Sequence, residues 1–187
     1  MKVYNIILLM LVFIMFSCES TRGIQSDSVF IMIYDYNNSP VSNVGIIVDG
    51  DRIGKSDVNG RFVFEVSDRK EHYVRLEKTD YEVISDSFIY EDSLLLYYKM
   101  GNSSQYLNMA ENCIDKRSYN EALKKVTKSL QINKTREDSL FLKAIIYNLL
   151  GEYEKSNIIL GELENTVKFK YIEELRKKNV HEKKNKN

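Results

Sequence analysis

The chain is poor in the residues that metal sites, disulfide frameworks and transmembrane anchors require. Only two histidines and two cysteines occur among its 187 residues. His72 falls in a strand pattern and reads as a surface strand residue, while His181 lies near the C-terminus. Neither has a second ligand at metal spacing, so no metal or cofactor is expected. Gly-x-Ser-x-Gly, P-loop, dinucleotide and His-Glu-x-x-His patterns are all missing, which leads to the expectation of a protein without enzymatic activity. An excess of one charge is missing too, with 27 basic against 27 acidic residues. The balance is uneven along the chain: 8 basic and 13 acidic residues over 29–100, 9 of each over 101–167, and 8 against 3 over 168–187. The basic excess therefore sits in an end that finishes Glu-Lys-Lys-Asn-Lys-Asn. That composition describes a solvated tail, not the folded basic face of a nucleic-acid reader. The longest apolar run is eleven residues, Ile6 to Phe16. A helix crossing roughly 30 Å of hydrocarbon needs about 20, so the run is too short to span a membrane.

What is present begins with that run. Lys2 precedes it and Ser17-Cys18 follows it, the arrangement of a secretory signal peptide over residues 1–17. A cysteine directly after the cut resembles the lipobox of bacterial lipoproteins. Met15 and Phe16 stand where that family carries an aliphatic and a small residue, and Ser17 fits the pattern. The resemblance implies palmitate-type acylation of Cys18 and a membrane lipoprotein, on the periplasmic face or at the outer membrane and cell surface. Residues 18–28 are polar and read as a tether. The mature chain, Cys18 to Asn187, has room for one large domain or two small ones. With Cys18 acylated only Cys113 remains, so an intrachain disulfide is excluded, and Cys113 reads as a buried, inert thiol.

Residues 29–100 contain short β-rich runs (29–34, 44–48, 61–66, 73–77, 81–90 and 94–98, with a possible edge piece over 52–56), and the chain's single proline. Asp49-Gly50 and Asn59-Gly60 supply the positive φ angles of tight hairpins. Phe62, Phe64 and Val66 alternate with Arg61, Val63 and Glu65, giving one buried and one wetter face. Six or seven strands at this spacing predict a small antiparallel β-sandwich. Pro40-Val-Ser-Asn-Val-Gly-Ile-Ile-Val48, followed by Ser56, Asp57, Gly60 and Phe62, resembles the carboxypeptidase regulatory-like (transthyretin-like) domain. That resemblance implies a non-catalytic accessory or adhesive module. Asp49, Asp51, Asp57 and Asn59 could in principle offer oxygens to calcium. They lack the spacing and distal glutamate of an EF-hand loop, and the reading adopted is turn residues capping their own backbone.

Beyond residue 100 the apolar period changes from two to 3.6, predicting helices over 104–116, 119–133, 138–150 and 153–165. Ser118-x-x-Glu121 and Thr135-x-x-Asp138 fit capping boxes, and Gly151 marks a tight turn. Ala110 and Ala144 are 34 residues apart, as are Tyr119 and Tyr153, Ala122 and Ser156, and Val126 and Leu160. This period resembles the tetratricopeptide repeat, abbreviated TPR. Ser129, Lys134 and Lys143 depart from its pattern. Two repeats would fill residues 101–167, with Phe169, Ile172 and Leu175 on a capping helix over 168–180 and a basic tail over 181–187. Matching repeat positions puts Leu107, Glu111 and Ile114 of the first repeat on the concave face, with Phe141, Ile145 and Asn148 of the second. In that family the face grips an extended peptide. Here it would either take an apolar segment of another protein or be covered by the β-module or the C-terminal helix.

The expected architecture is therefore α+β multidomain: an antiparallel sandwich, then a TPR-like array with its capping helix. The expected role is a membrane-anchored, non-enzymatic protein-interaction scaffold in the bacterial envelope, with an envelope or surface protein as partner. An adhesin or carbohydrate-binding module using Tyr73, Tyr81, Tyr90, Tyr97 and Tyr98 is the alternative, and an accessory subunit of an envelope protease a third.

Overall fold

The computed structural model describes residues 27–66, 69–91, 93–164 and 170–186. The expected signal sequence, Cys18 and most of the tether lie outside the described residues.

Among the described residues seven strands come first: β1 (Asp27–Tyr34), β2 (Gly45–Val48), β3 (Asp51–Lys55), β4 (Arg61–Val66), β5 (Glu71–Glu77), β6 (Ile84–Ile89) and β7 (Leu95–Lys99). They form a three-stranded sheet in the order β4-β1-β7 and a four-stranded sheet in the order β3-β2-β5-β6. Val29, Ile31 and Ile33 of β1 face Ile46 of β2, Val74 and Leu76 of β5 and Phe88 of β6 in one buried core. Phe64 meets Phe88 edge-on across it, with ring centroids 6.0 Å apart. The alternation expected in β4 is present, with Phe62, Phe64 and Val66 packed on the core.

One pairing differs from the expected all-antiparallel arrangement: β7 runs parallel to β1, with Phe30 opposite Leu95 and Met32 opposite Tyr97. Parallel neighbours need a long crossover. Here the chain leaves β1, makes β2 and β3 of the other sheet, returns for β4, and then makes β5 and β6 before β7 pairs with β1. Side-chain alternation is the same for both directions, so the pattern carries no information about it.

The two glycine turns also divide. Asp49 (φ 51) and Gly50 (φ 94) close the β2–β3 hairpin as expected. Asn59-Gly60 closes no hairpin, because β3 pairs with β2 and β4 pairs with β1; it is the corner where the chain changes sheets. The Ser-Asp-x-x-Gly-x-Phe motif builds that corner. The buried Ser56 hydroxyl donates to the Val41 carbonyl at 2.8 Å and accepts from the Val44 amide at 3.0 Å. Asp57 Oδ1 accepts from the amides of Asn59 and Arg61, each at 2.8 Å. Gly60, at φ 72, passes so close to β1 that a Cβ would collide with the Ile33 carbonyl oxygen. Phe62 then lays its ring over Gly54, where a Cβ would strike it.

Five helices follow: α1 (Ser103–Asp115), α2 (Tyr119–Ile132), α3 (Glu137–Leu149), α4 (Tyr153–Glu164) and α5 (Lys170–Lys186). The last continues past the expected limit at residue 180. Ala110, Ala122, Ala144 and Ser156, the small residues of the 34-residue offset, are all completely buried, as are Val126 and Leu160. Small side chains let paired helices approach closely, and these positions set the crossings within α1–α2 and α3–α4.

Turn chemistry differs between the hairpins. Gly151 (φ 78) ends α3 in the left-handed conformation that glycine tolerates. Thirty-four residues earlier Arg117 adopts the same conformation (φ 58), with Ser118 N donating to the Cys113 carbonyl at 2.8 Å. The two expected capping boxes do not form. Ser118 makes no side-chain cap, and Glu121 instead pairs with Lys124 at 2.7 Å. Arg136 occupies the α3 cap and draws the Asp138 carboxylate to its guanidinium at 2.7 and 2.9 Å. The box that does form is Asn102 with Gln105 at the start of α1.

Candidate interaction surfaces

A polar hub joins sheets to helices. The Glu82 side chain, largely buried, accepts from the Tyr106 hydroxyl of α1 at 2.9 Å, the Tyr36 hydroxyl at 3.2 Å and the Gly101 amide at 2.8 Å. Lys128 of α2 reaches it at 3.4 Å. The Tyr36 and Tyr106 rings meet edge-on, 5.7 Å apart. Burial first, then the hydrogen bonds to Tyr36 and Glu82, pushes the Tyr106 hydroxyl far above its usual pKa. Backbone bonds complete the joint, Ser103 N to the Asp80 carbonyl at 3.2 Å and Glu82 N to the Gly101 carbonyl at 2.9 Å. No single motif in the sequence announces this hub, since its members come from four separated segments.

The six residues expected on a concave face do not form one open surface. Leu107 is buried in the core of α1, α2 and α3, and Ile114 is half-buried against the same core. Glu111 is exposed. Phe141 packs against the second helical cluster, which Ile172 and Leu175 of α5 join, and Ile145 is half-buried. Asn148 is buried, donating to Asn179 Oδ1, and Asn179 in turn donates to Ser156 Oγ at 3.0 Å and Asn157 Oδ1 at 2.8 Å. Helix α5 thus lies over the second-repeat half of the stripe. Ser129, a departure from the repeat pattern, is a buried polar contact instead. Its hydroxyl meets the Ser103 carbonyl at 2.7 Å and Ser139 Oγ at 2.9 Å.

Of the five tyrosines considered for sugar stacking, Tyr90 and Tyr98 are buried and Tyr81 is half-buried under Lys78. Desolvation, then the Asp86 charge, raises the Tyr98 hydroxyl well above its ordinary pKa. Tyr73 (61% exposed) and Tyr97 (52%) remain accessible but belong to different sheets. Tyr97 stacks on Tyr34 with centroids 5.6 Å apart.

His72 differs from the expected surface residue: its side chain is only 12% exposed. The ring stacks on Phe88 at 5.4 Å, and Nδ1 lies 2.7 Å from Asp49 Oδ2. Asp49 Oδ1 meanwhile accepts from the Tyr73 amide at 2.8 Å, so this carboxylate ties the β2–β3 turn to β5. Asp57 keeps its carboxyl below the usual range, chiefly because the Arg61 amide bonds to it. Both acids cap backbone. Among the described residues no three His, Cys, Asp or Glu side chains gather as a metal site, and no helix is long and apolar enough to cross a membrane. Cys113 is half-buried against the first helical core.

The outer faces of the two sheets differ: the four-stranded one mixes ion pairs with the exposed Tyr73 (61%) and Ile89 (59%), and the three-stranded one carries a continuous apolar row. On the four-stranded sheet Arg75 meets Glu77 at 2.6 Å, Arg52 meets Glu77 at 3.3 Å and Ser87 meets Glu71 at 2.8 Å. On the three-stranded sheet Val63, Phe30 and Leu95 stand side by side in register, 50%, 44% and 54% exposed. They border an open cavity of about 640 Å³. The sequence signal for this row was Val63, an apolar residue on the wetter face of β4.

No family model matches the chain, and no curated protein matches it. Among solved structures it is similar to the major pilin subunit BcpA of Bacillus cereus, at 15% identity, 39% of this chain, 28% of that one and TM-score 0.33. It is also similar to the TIE protein of Bacillus anthracis, at 13% identity, 40% of this chain, 16% of that one and TM-score 0.33. The chain spans less than a third of the length of either protein.

Proposed function

We propose that the chain is a lipid-anchored, non-enzymatic interaction module of the bacterial envelope, acylated at Cys18 and carrying a β-sandwich and two TPR-like helical hairpins. Its place is a membrane, on the periplasmic face or at the cell surface, and its partner another envelope or surface protein. The observation that carries this reading is the coincidence of the 34-residue offset with complete burial at Ala110, Ala144, Ala122, Ser156, Val126 and Leu160. Such repeats position helices as a rigid support, leaving the exposed side chains to choose a partner. Because α5 covers Asn148 and shares a core with Phe141, the first hairpin around Glu111 is where a protein would dock. A photo-reactive amino acid at position 111 of the full chain, irradiated in cells, is expected to give one discrete adduct with another envelope protein. No adduct from this position would reject docking at the first hairpin. The carbohydrate-binding alternative is less well supported, since Tyr73 and Tyr97 lie on different sheets and offer no shared platform.

A further inference from the structure

Three half-exposed apolar side chains in a row on a sheet face, Val63, Phe30 and Leu95, need an occupant or a reason to remain in water. Their position along β1 supplies one. Eight residues lie between Cys18 and Asp27, the first residue of β1, so even fully extended the tether reaches about 30 Å. Phe30 is the fourth residue of that strand. The helices attach at the other end, where Met100 N bonds to the Tyr34 carbonyl at 2.8 Å and Tyr36 meets Tyr106. The apolar row is thus in the tether half of the strand, and the face becomes more polar toward the helices, through Arg61 and Tyr97 beside Met32 and then Lys99 beside Tyr34.

We infer that this outer face of the β4-β1-β7 sheet lies against the lipid bilayer, with Phe30, Val63 and Leu95 as the side chains that enter it. The inference rests on the proposed acylation of Cys18. A short tether keeps the face next to lipid at high effective concentration, so a small apolar contact suffices. A stable protein interface buries about 800 Å² on each partner, far beyond three half-exposed side chains. Two cations beside the row are engaged within the fold, Arg61 with Asp57 at 3.3 Å and Lys99 with the Asp35 carbonyl at 3.1 Å, while the exposed Lys55 lines the same cavity. Glu65, exposed one row nearer the tether, adds a negative charge. With the neighbouring Lys55 and Glu65 opposite in sign, the attraction left to the face is apolar, and salt is not expected to remove it. Interfacial anchoring of this kind scales with buried apolar area.

The test uses the full acylated chain, made in bacteria and placed in vesicles of phosphatidylethanolamine and phosphatidylglycerol containing a nitroxide-labelled lipid. In a Cys113→Ser background, a fluorophore is attached at Val63→Cys, Leu95→Cys or, on the opposite sheet, Tyr73→Cys. Quenching at 63 and 95 is expected to exceed that at 73 by about threefold or more, and to persist in 1 M salt. Equal quenching at all three sites, in a chain whose mass includes the acyl groups, would overturn the membrane contact and leave the anchor intact. A chain without acyl mass would overturn both. Loss of the difference in salt would overturn the apolar contact. A photo-crosslinker at position 95 in cells is expected to give no protein adduct. An adduct at twice the chain's mass, or with another protein, would reassign the face to a second copy or to a protein partner.

Discussion

The sandwich and the helical module solve one packing problem in different ways. In the sandwich, contacts are long-range and depend on a few singular positions. Ser56, Asp57, Gly60 and Phe62 each do a different job at one corner, and none has a substitute elsewhere. In the helical module the same job is done twice, 34 residues apart, so the chain tolerates variation at one copy while the other keeps the pattern. Arg117 stands where Gly151 stands in the second turn, and buried Ser129 stands where buried Leu163 does. Repetition spreads the load; a corner concentrates it.

The sharpest way to break this comparison is Gly60→Ala. A Cβ there adds a collision with the Ile33 carbonyl to an unfavourable left-handed backbone, and the expected cost is about 3 kcal/mol or more by urea unfolding. A change near zero would contradict the account of the corner. Next comes Glu82→Ala, which leaves the Tyr36 and Tyr106 hydroxyls and the Gly101 amide without their acceptor. A loss of about 2 kcal/mol is expected. Faster hydrogen exchange at Gly101 to Gln105 should accompany it, with the β2 and β5 amides unchanged if the loss is confined to the joint. Arg117→Gly sharpens the comparison from the other side. It gives the first turn the residue that the second already has, and should stabilise the helices by about 1 kcal/mol, read as a rise in melting temperature.

The smallest effect concerns charge at the corner. Asp57→Asn keeps the side-chain oxygen that accepts the two amides but removes the carboxylate. Because folding lowers the Asp57 pKa, its contribution is present above the ordinary aspartate value of 3.8 and disappears as pH falls through the lower folded value. The variant should melt slightly below the parent at pH 7, with the gap closing toward pH 2. A gap that widened on acidification would contradict the sign.

The same contrast explains what could be read from the residues. The limits of the first four helices fell within about one residue of expectation, because a 3.6-residue period shows face and extent together, whereas the last helix runs on to Lys186 through what reads as a charged tail. Strand positions were also legible, yet their partners were not. Nothing in Leu95 to Lys99 records that β7 lies parallel to β1, since alternation is blind to direction. Asn59-Gly60 carries hairpin chemistry but sits at a corner, because positive φ serves any reversal. The capping boxes failed where Lys124 and Arg136 competed for the acids, a contest between side chains that spacing alone omits. Glu82 was illegible for a simpler reason: its partners Tyr36, Gly101 and Tyr106 lie 46, 19 and 24 residues away.

Everything assigned to the tether, including the bilayer-facing sheet, depends on the chemistry of one thiol. The mass of the mature N-terminal peptide, purified from bacterial membranes, tests it directly. The account predicts a chain that begins at Cys18 and carries acyl chains, with Cys18→Ala leaving the precursor uncut. A mature N-terminus at any other residue, or an unmodified Cys18, would contradict it.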